Sequence, residues 1–269
     1  MQMIKDITIG QYFPGKSFMH KLDPRMKLIL TLFYVVSLFL VPDFWGFAAV
    51  GVLMLLIILF SGISLKVVLR GLKPLMFIIV FTAFFNVLYG GGEPLFPQIE
   101  WLSWLKAEGV RNALFMIIRI ILLILGTSYL TYTTSPVMLT DAMERLMRPF
   151  KVFKLPVHEL AMMMTIALRF IPTLIDETDK IINAQKARGA DFETGNIFRR
   201  AKALIPILSP LLISAFRRAE ELADAMECRC YHGGEGRTRY KVYSLGWRDF
   251  LALALMLMVI GAIILLIIF

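Results

Sequence analysis

The sequence predicts an all-α polytopic membrane protein, with about five transmembrane helices and long cytoplasmic amphipathic helices between the fourth and the fifth. Three observations carry this reading. Hydrophobic residues make up 58% of the 269, charged residues only 18%, and the mean hydropathy is +0.71; soluble domains carry about 25% charge. Apolar runs of fifteen to twenty-two residues recur along the chain, and about 20 such residues cross a bilayer. The charge is also segregated, since residues 135–248 hold eighteen of the 29 basic and thirteen of the 20 acidic residues. An ordinary soluble globular domain is excluded. The net charge of +9 is expected beside anionic lipid on the cytoplasmic face rather than on nucleic acid.

The elements follow in order. Residues 1–23 include Lys5, Lys16 and Lys21 with no apolar run and are expected to form a cytoplasmic N-terminal segment. Asp23-Pro24 supplies an N-cap and a first-position proline. A first span therefore runs over 24–41, about 27 Å long, and Pro42-Asp43 turns the chain into a second over 44–60. Lys66, Arg70 and Lys73 mark a cytoplasmic connection before a third span over 75–89. The loop that follows, with Glu93, Glu100, Glu108, Lys106 and Arg111, reads as external, and Trp101 and Trp104 suit the outer interface. A fourth span covers 113–134, and a fifth, 250–269, places the C-terminus outside.

Residues 135–248 read as a largely helical cytoplasmic region. Val137, Leu139, Met143, Leu146 and Met147 make a short amphipathic helix ending near Pro149. A second helix starts after Pro156 and runs toward Gly189, with Leu160, Met164, Leu168, Ile171, Ile175 and Ile182 near one face. Pro172 is expected to kink it and Gly189 to cap it. Ala203 to Phe216 contains Pro206 and Pro210, expected to break or bend the chain before a charged helix continues to Tyr231.

Three motifs compete as functional sites. Gly10 to Ser17 has the letter pattern G-x-x-x-x-G-K-[ST] of a phosphate-binding loop. Such a loop needs a strand before it and a helix starting at its Lys-Ser, whereas Asp23-Pro24 starts the helix too late and Pro14 has no amide to offer. Cys228, Cys230 and His232 are zinc-type donors, but structural zinc takes four and no fourth is near in sequence. Two small thiols flanking Arg229 at a helix end is the simpler reading. The third signal is a pair of helix ends at a 41-residue offset. Ile181 aligns with Leu222, Asn183 with Asp224, Ala184 with Ala225, and Arg188 with Arg229, each arginine between small residues. One explanation is that a cation in the last turn offsets the helix dipole and needs no partner. The other is that each guanidinium docks in a groove of another protein and finds carboxylates or carbonyls there.

These tips, with Ile9-Gly10-Gln11-Tyr12-Phe13-Pro14-Gly15 and Leu22-Asp23-Pro24-Arg25-Met26-Lys27, resemble the transmembrane T component of energy-coupling factor (ECF) transporters. The resemblance covers nearly the whole chain. Ala187-Arg188-Gly189 and the run Arg229-Cys230-Tyr231-His232-Gly233-Gly234-Glu235-Gly236-Arg237-Thr238 fall in the expected order. The resemblance implies coupling helices whose tips, Ala187, Arg188, Gly189 and Cys228, Arg229, Cys230, sit in grooves of two ABC-type ATPases. Cys228 and Cys230 depart from the more usual alanine and small residue, so Arg229 carries over more directly than its neighbours. It further implies that ATP and Mg are bound by those partners, that this chain is no enzyme and carries no cofactor or metal, and that a separate membrane S component captures a vitamin or similar micronutrient. No nucleic acid is expected.

Met162, Met163, Met164, Leu211, Leu212 and Ile213 are candidates for holding the S component, since methionine adapts to differing surfaces; internal packing is the competing reading. Arg119 stands among isoleucines in the fourth span, where a charge is costly and faces protein or water rather than lipid. A carbonyl or a partner subunit is its expected contact, or the side chain bends toward an interface. Two other classes make different demands. A self-contained secondary transporter needs a midplane site from broken helices or repeated halves, and an intramembrane enzyme needs paired catalytic groups at membrane depth.

Overall fold

A computed structural model describes residues 12–91, 106–190, 192, 197–234 and 243–268. The elements are α1 (Pro24–Leu40), α2 (Phe44–Ser61), α3 (Leu65–Leu72), α4 (Met76–Tyr89), α5 (Ala107–Thr133), α6 (Pro136–Met147), α7 (Val157–Ala187), α8 (Ile197–Glu227) and α9 (Trp247–Ile268). Short 3-10 turns cover Met19–Lys21, Lys73–Leu75 and Arg148–Phe153. Lys5, Ile9, Gly10, Gln11, Glu93, Glu100, Trp101, Trp104, Glu235, Gly236, Arg237 and Thr238 lie outside the described residues. The chain divides into two compact units, one with the described residues of 9–142 and 241–269, the other with those of 143–240; the division falls inside α6.

In the first unit, α1 starts where Asp23-Pro24 dictates. Pro24 occupies the first turn and the Asp23 carboxylate accepts from the Arg25 amide at 2.9 Å. Leu38, Val50 and Ile263, one each from α1, α2 and α9, are fully buried, and Met54, Leu122 and Met256 pack around them. Polar contacts between helices add to this packing. The Tyr34 hydroxyl donates to the Leu122 carbonyl at 2.8 Å, and the Tyr129 hydroxyl to that of Ile57 at 3.4 Å. The Tyr34 ring packs on Gly126, where a Cβ would fall 2.1 Å from it. Only glycine fits there. The α4–α5 hairpin closes in the same way, since a Cβ on Gly90 would lie 2.1 Å from the Gly109 Cα.

Five helices among the described residues are long and apolar enough to cross a membrane: 44–61, 66–89, 107–133, 157–187 and 247–268. The number matches the sequence reading, but the membership differs. With seventeen residues, α1 falls just short of that length, whereas α7 qualifies through its apolar first half, at a mean hydropathy of 1.3 against 3.2 for α9. The third crossing is longer than 75–89, because α3 and the Lys73–Leu75 turn run into α4. The fourth starts at Ala107 instead of 113. Glu108 and Arg111, read as loop, are its first turns, and Glu108 sits where a helix N-terminus favours an acid.

In the second unit α7 and α8 lie antiparallel. Ile182 on α7 packs against Ile207 on α8, with Phe192 from the intervening segment buried between them. Nearby, Ser214 Oγ donates to one Glu177 oxygen, and Arg218 donates to the other through Nε at 3.2 Å and NH2 at 3.1 Å. Neither helix breaks at its prolines. Pro172 lies inside α7, and α8 runs unbroken through Pro206 and Pro210, so that of the expected break or bend no break occurs. Four residues apart, these two prolines share one exposed face, so both missing backbone hydrogen bonds fall on the outer side.

Candidate functional site

The two arginine-centred tips are built alike. At the end of α7 the Ala190 amide donates to the Gln185 carbonyl at 3.0 Å and the Gly189 amide to that of Lys186 at 3.0 Å. At the end of α8 the Tyr231 amide donates to the Met226 carbonyl at 3.1 Å and the Cys230 amide to that of Glu227 at 2.8 Å. This is one Schellman motif repeated. Arg188 and Arg229 hold the same position in it, each also donating its amide three residues back, to Gln185 and Met226, at 3.1 Å. The next residue is left-handed in both, Gly189 at φ +84° and Cys230 at φ +54°. Glycine adopts that conformation freely; cysteine is held there at a cost of about 1 kcal/mol.

Both tips are presented to the outside. Ala187, Arg188, Gly189, Cys228, Arg229 and Cys230 are all exposed, and neither guanidinium has a hydrogen-bond or ion-pair partner among the described residues. Each tip is also anchored behind. Beyond the first, Ala190 and Phe192 pack on Ile182 and Ile207. Beyond the second, Gly234 packs so closely on His158 that a Cβ would lie 2.4 Å from the imidazole, whose Nδ1 is 3.0 Å from Glu144 Oε1. From the Glu177–Ser214 crossing, ten helical residues lead to the end of α7 before Arg188 and thirteen to the end of α8 before Cys228 and Arg229, arms of about 15 Å and about 20 Å. The arrangement offers two stiff, cationic ends aimed away from a braced crossing.

A family model described as cobalt transport protein matches residues 15–240, a stretch that includes both tips. The energy-coupling factor transporter transmembrane protein EcfT of Clostridium kluyveri is 55% identical over 252 residues, 93% of either chain. That of Ruminiclostridium cellulolyticum is 55% identical over 243 residues, 89% of either chain, and that of Thermosediminibacter oceani 51% identical over 261, covering 97% of this chain and 98% of its own. The chain belongs to the EcfT family. It is a multi-pass transmembrane T component of the energy-coupling factor type.

The other sequence candidates of this EcfT chain are placed as follows. Met163, Met164, Leu212 and Ile213 are exposed, and Met162 and Leu211 half-buried. They do not form one patch. Leu211, Leu212 and Ile213 adjoin the crossing, whereas Met164 lies about 20 Å from it along α7. Lys16-Ser17 leads into the Met19–Lys21 turn, not an α-helix, and Ser17 Oγ is hydrogen-bonded to His20 Nδ1 at 2.6 Å. Among the described residues no three His, Cys, Asp or Glu side chains gather as a metal site, and Cys228 and Cys230 are free thiols.

Arg119 finds a carbonyl. Its NH2 donates to Val41 O, the C-cap of α1, at 3.3 Å, and its guanidinium lies 5.9 Å from the Phe39 ring centroid and 5.6 Å from that of Phe47. Arg111, Phe115 and Arg119 form one stripe of α5 against the α1–α2 turn, with Arg111 3.7 Å from Asp43 and the Phe115 ring tilted against that of Phe44 at 4.4 Å between centroids. The cation thus sits on the negative end of α1. Arg119→Leu is expected to strand a buried carbonyl and cost about 1 to 3 kcal/mol, read as a lower melting midpoint of the purified chain, with Arg119→Lys recovering part of the loss.

A junction that sequence reasoning missed joins the starts of α1 and α9 to the end of α5. Asp249 is buried, and its two oxygens accept from the Gly246 amide at 2.8 Å and from the Asp23 amide at 2.9 Å. Arg25 bridges Asp23 and the Tyr243 carbonyl, and Lys27 Nζ donates to the Thr133 carbonyl at 2.9 Å. The motif Asp23-Pro24-Arg25-Met26-Lys27 is therefore a clasp as well as a helix start.

Proposed function

We propose that this chain is the coupling subunit of an ECF-type ABC importer for a vitamin or similar micronutrient. Two ABC-type ATPase subunits dock on the tips through Arg188 and Arg229, and the α7–α8 pair passes their ATP-driven motion to a membrane-embedded S component. The observation that carries this reading is the matched pair of caps. A cation that only offset its helix dipole would need neither the same position in the same motif twice nor a left-handed cysteine to keep it. ATP and Mg belong to the ATPases, and this chain is non-catalytic and holds no cofactor. In this reading the seventeen-residue α1 is a crossing and α7, despite its apolar first half, is not, so that the N-terminus, α7 and α8 lie on the cytoplasmic side with the C-terminus outside; the basic excess of residues 135–248 supports that orientation. The exposed methionines of α7 and the apolar residues beside the crossing on α8 are two contact areas for the S component.

The cap geometry makes a prediction of its own. Cys230→Gly is expected to raise stability by up to about 1 kcal/mol and keep ATPase capture intact, because only the left-handed backbone is demanded there. Cys230→Val, β-branched at positive φ, is expected to distort the second tip and weaken capture. Melting midpoints and copurification of the two variants check this.

The whole reading is tested in proteoliposomes. The chain alone is expected to move no substrate, and the chain reconstituted with both ATPases and an S component to give ATP-dependent uptake. Transport by the chain alone would replace this reading with that of a self-contained carrier.

A further inference from the structure

Between α1, α2, α5 and α9 lies a cleft of about 180 Å³, walled by Leu30, Tyr34, Met54, Ile57, Leu130 and Met256. We propose that it holds one anionic phospholipid, with a segment of an acyl chain in the cleft and phosphate or ester oxygens at Lys27.

Size and setting argue for a chain segment. An apolar cavity of about 150 Å³ takes up benzene, so this one suits several methylenes rather than a folded ligand. Leu56, Phe60 and Leu255 also line it and are 45%, 66% and 45% exposed. Exposed apolar side chains on spanning helices meet hydrocarbon, so the cleft is continuous with the acyl layer.

Charge argues for the headgroup. Lys27 lines the same cleft and is 7% exposed. Its ammonium gives one hydrogen to the Thr133 carbonyl, and its other two find no acceptor among the described residues. A buried ammonium with spare donors beside apolar walls calls for an oxygen-bearing amphiphile. Lys21, Arg25, Lys66, Arg70, Lys73 and Arg248 lie near this end of the unit by the helix order, outnumbering the buried Asp23 and Asp249, whose oxygens are taken up by backbone amides and Arg25, whereas the α1–α2 turn at the other end carries Asp43 with Arg111 beside it. Basic pockets between membrane helices select anionic headgroups.

Native mass spectrometry of the full chain, released from detergent after incubation with phosphatidylglycerol or phosphatidylcholine of identical chains, tests the site. The wild type is expected to retain one phosphatidylglycerol with at least a tenfold preference. Lys27→Met is expected to lose the preference, Arg111→Gln, at the opposite end of the unit beside Asp43, to keep it, and Ala252→Phe, which fills the cleft from α9 and leaves every polar group in place, to lose the bound lipid. Equal retention of both lipids by the wild type, an undiminished preference in folded Lys27→Met, loss of preference in Arg111→Gln, or full retention by Ala252→Phe would overturn the proposal. Should Lys27→Met fail to fold, the Ala252→Phe result decides. None of these readouts depends on the ATPases, so the site stands or falls apart from the coupling role.

Discussion

Arg188→Glu and Arg229→Glu, made one at a time, are each expected to weaken capture of an ATPase subunit by about thirtyfold to several thousandfold. Reversing a paired, desolvated arginine at an interface costs about 2 to 5 kcal/mol, and each 1.4 kcal/mol is a factor of ten. Folding should be spared. Both side chains are exposed and unpartnered among the described residues, and the caps are made by backbone amides and carbonyls, which the substitution leaves in place. Loss of the dipole interaction costs only about 0.3 to 1 kcal/mol. Binding of each purified ATPase to the two single variants, with the melting midpoint recorded alongside, separates the effects. A large loss of stability with unchanged binding would make the arginines helix caps and nothing more.

Asp249→Leu is expected to destabilise the membrane unit by about 3 to 5 kcal/mol. Its carboxylate accepts two amides, one from the start of its own helix and one from residue 23. Hydrogen bonds to a charged group contribute about 1.5 to 3 kcal/mol each, and buried donors left without an acceptor add their desolvation cost. Asp249→Asn keeps one acceptor oxygen and is expected to lose about half as much. Thermal unfolding of the detergent-purified variants gives the comparison, and an unchanged midpoint for Asp249→Leu would show that the clasp contributes nothing.

Local chemistry was legible in the sequence where one or two residues decide it. Asp23-Pro24 started α1, Pro156 preceded α7, and Gly189 took the left-handed cap. The 41-residue offset between tips showed as two equal hydrogen-bond patterns, because a cap is set by a handful of adjacent residues. Three things were not legible. Glu108 and Arg111 made the start of α5 look like loop, since composition alone does not separate a charged first turn from a turn outside the membrane. Pro206 and Pro210 looked like breaks, because their shared outward face depends on how α8 packs on α7. The Asp249–Asp23 contact spans 226 residues, and no local pattern announces such a pairing. Arg119 falls between these cases. Its need for an acceptor was plain from its apolar neighbours, but the choice of the Val41 carbonyl was fixed by the α1–α2 turn lying against α5.

The most direct measurement is copurification from detergent of the tagged wild-type chain and of the Arg188→Glu, Arg229→Glu double variant, each coexpressed with two ABC-type ATPase subunits, with ATP hydrolysis assayed on the product. The wild type is expected to bring down both ATPases in an active complex, and the double variant to insert in the membrane and bring down neither. Equal recovery of both ATPases by the two chains would contradict docking at the tips and move the coupling surface elsewhere on the chain.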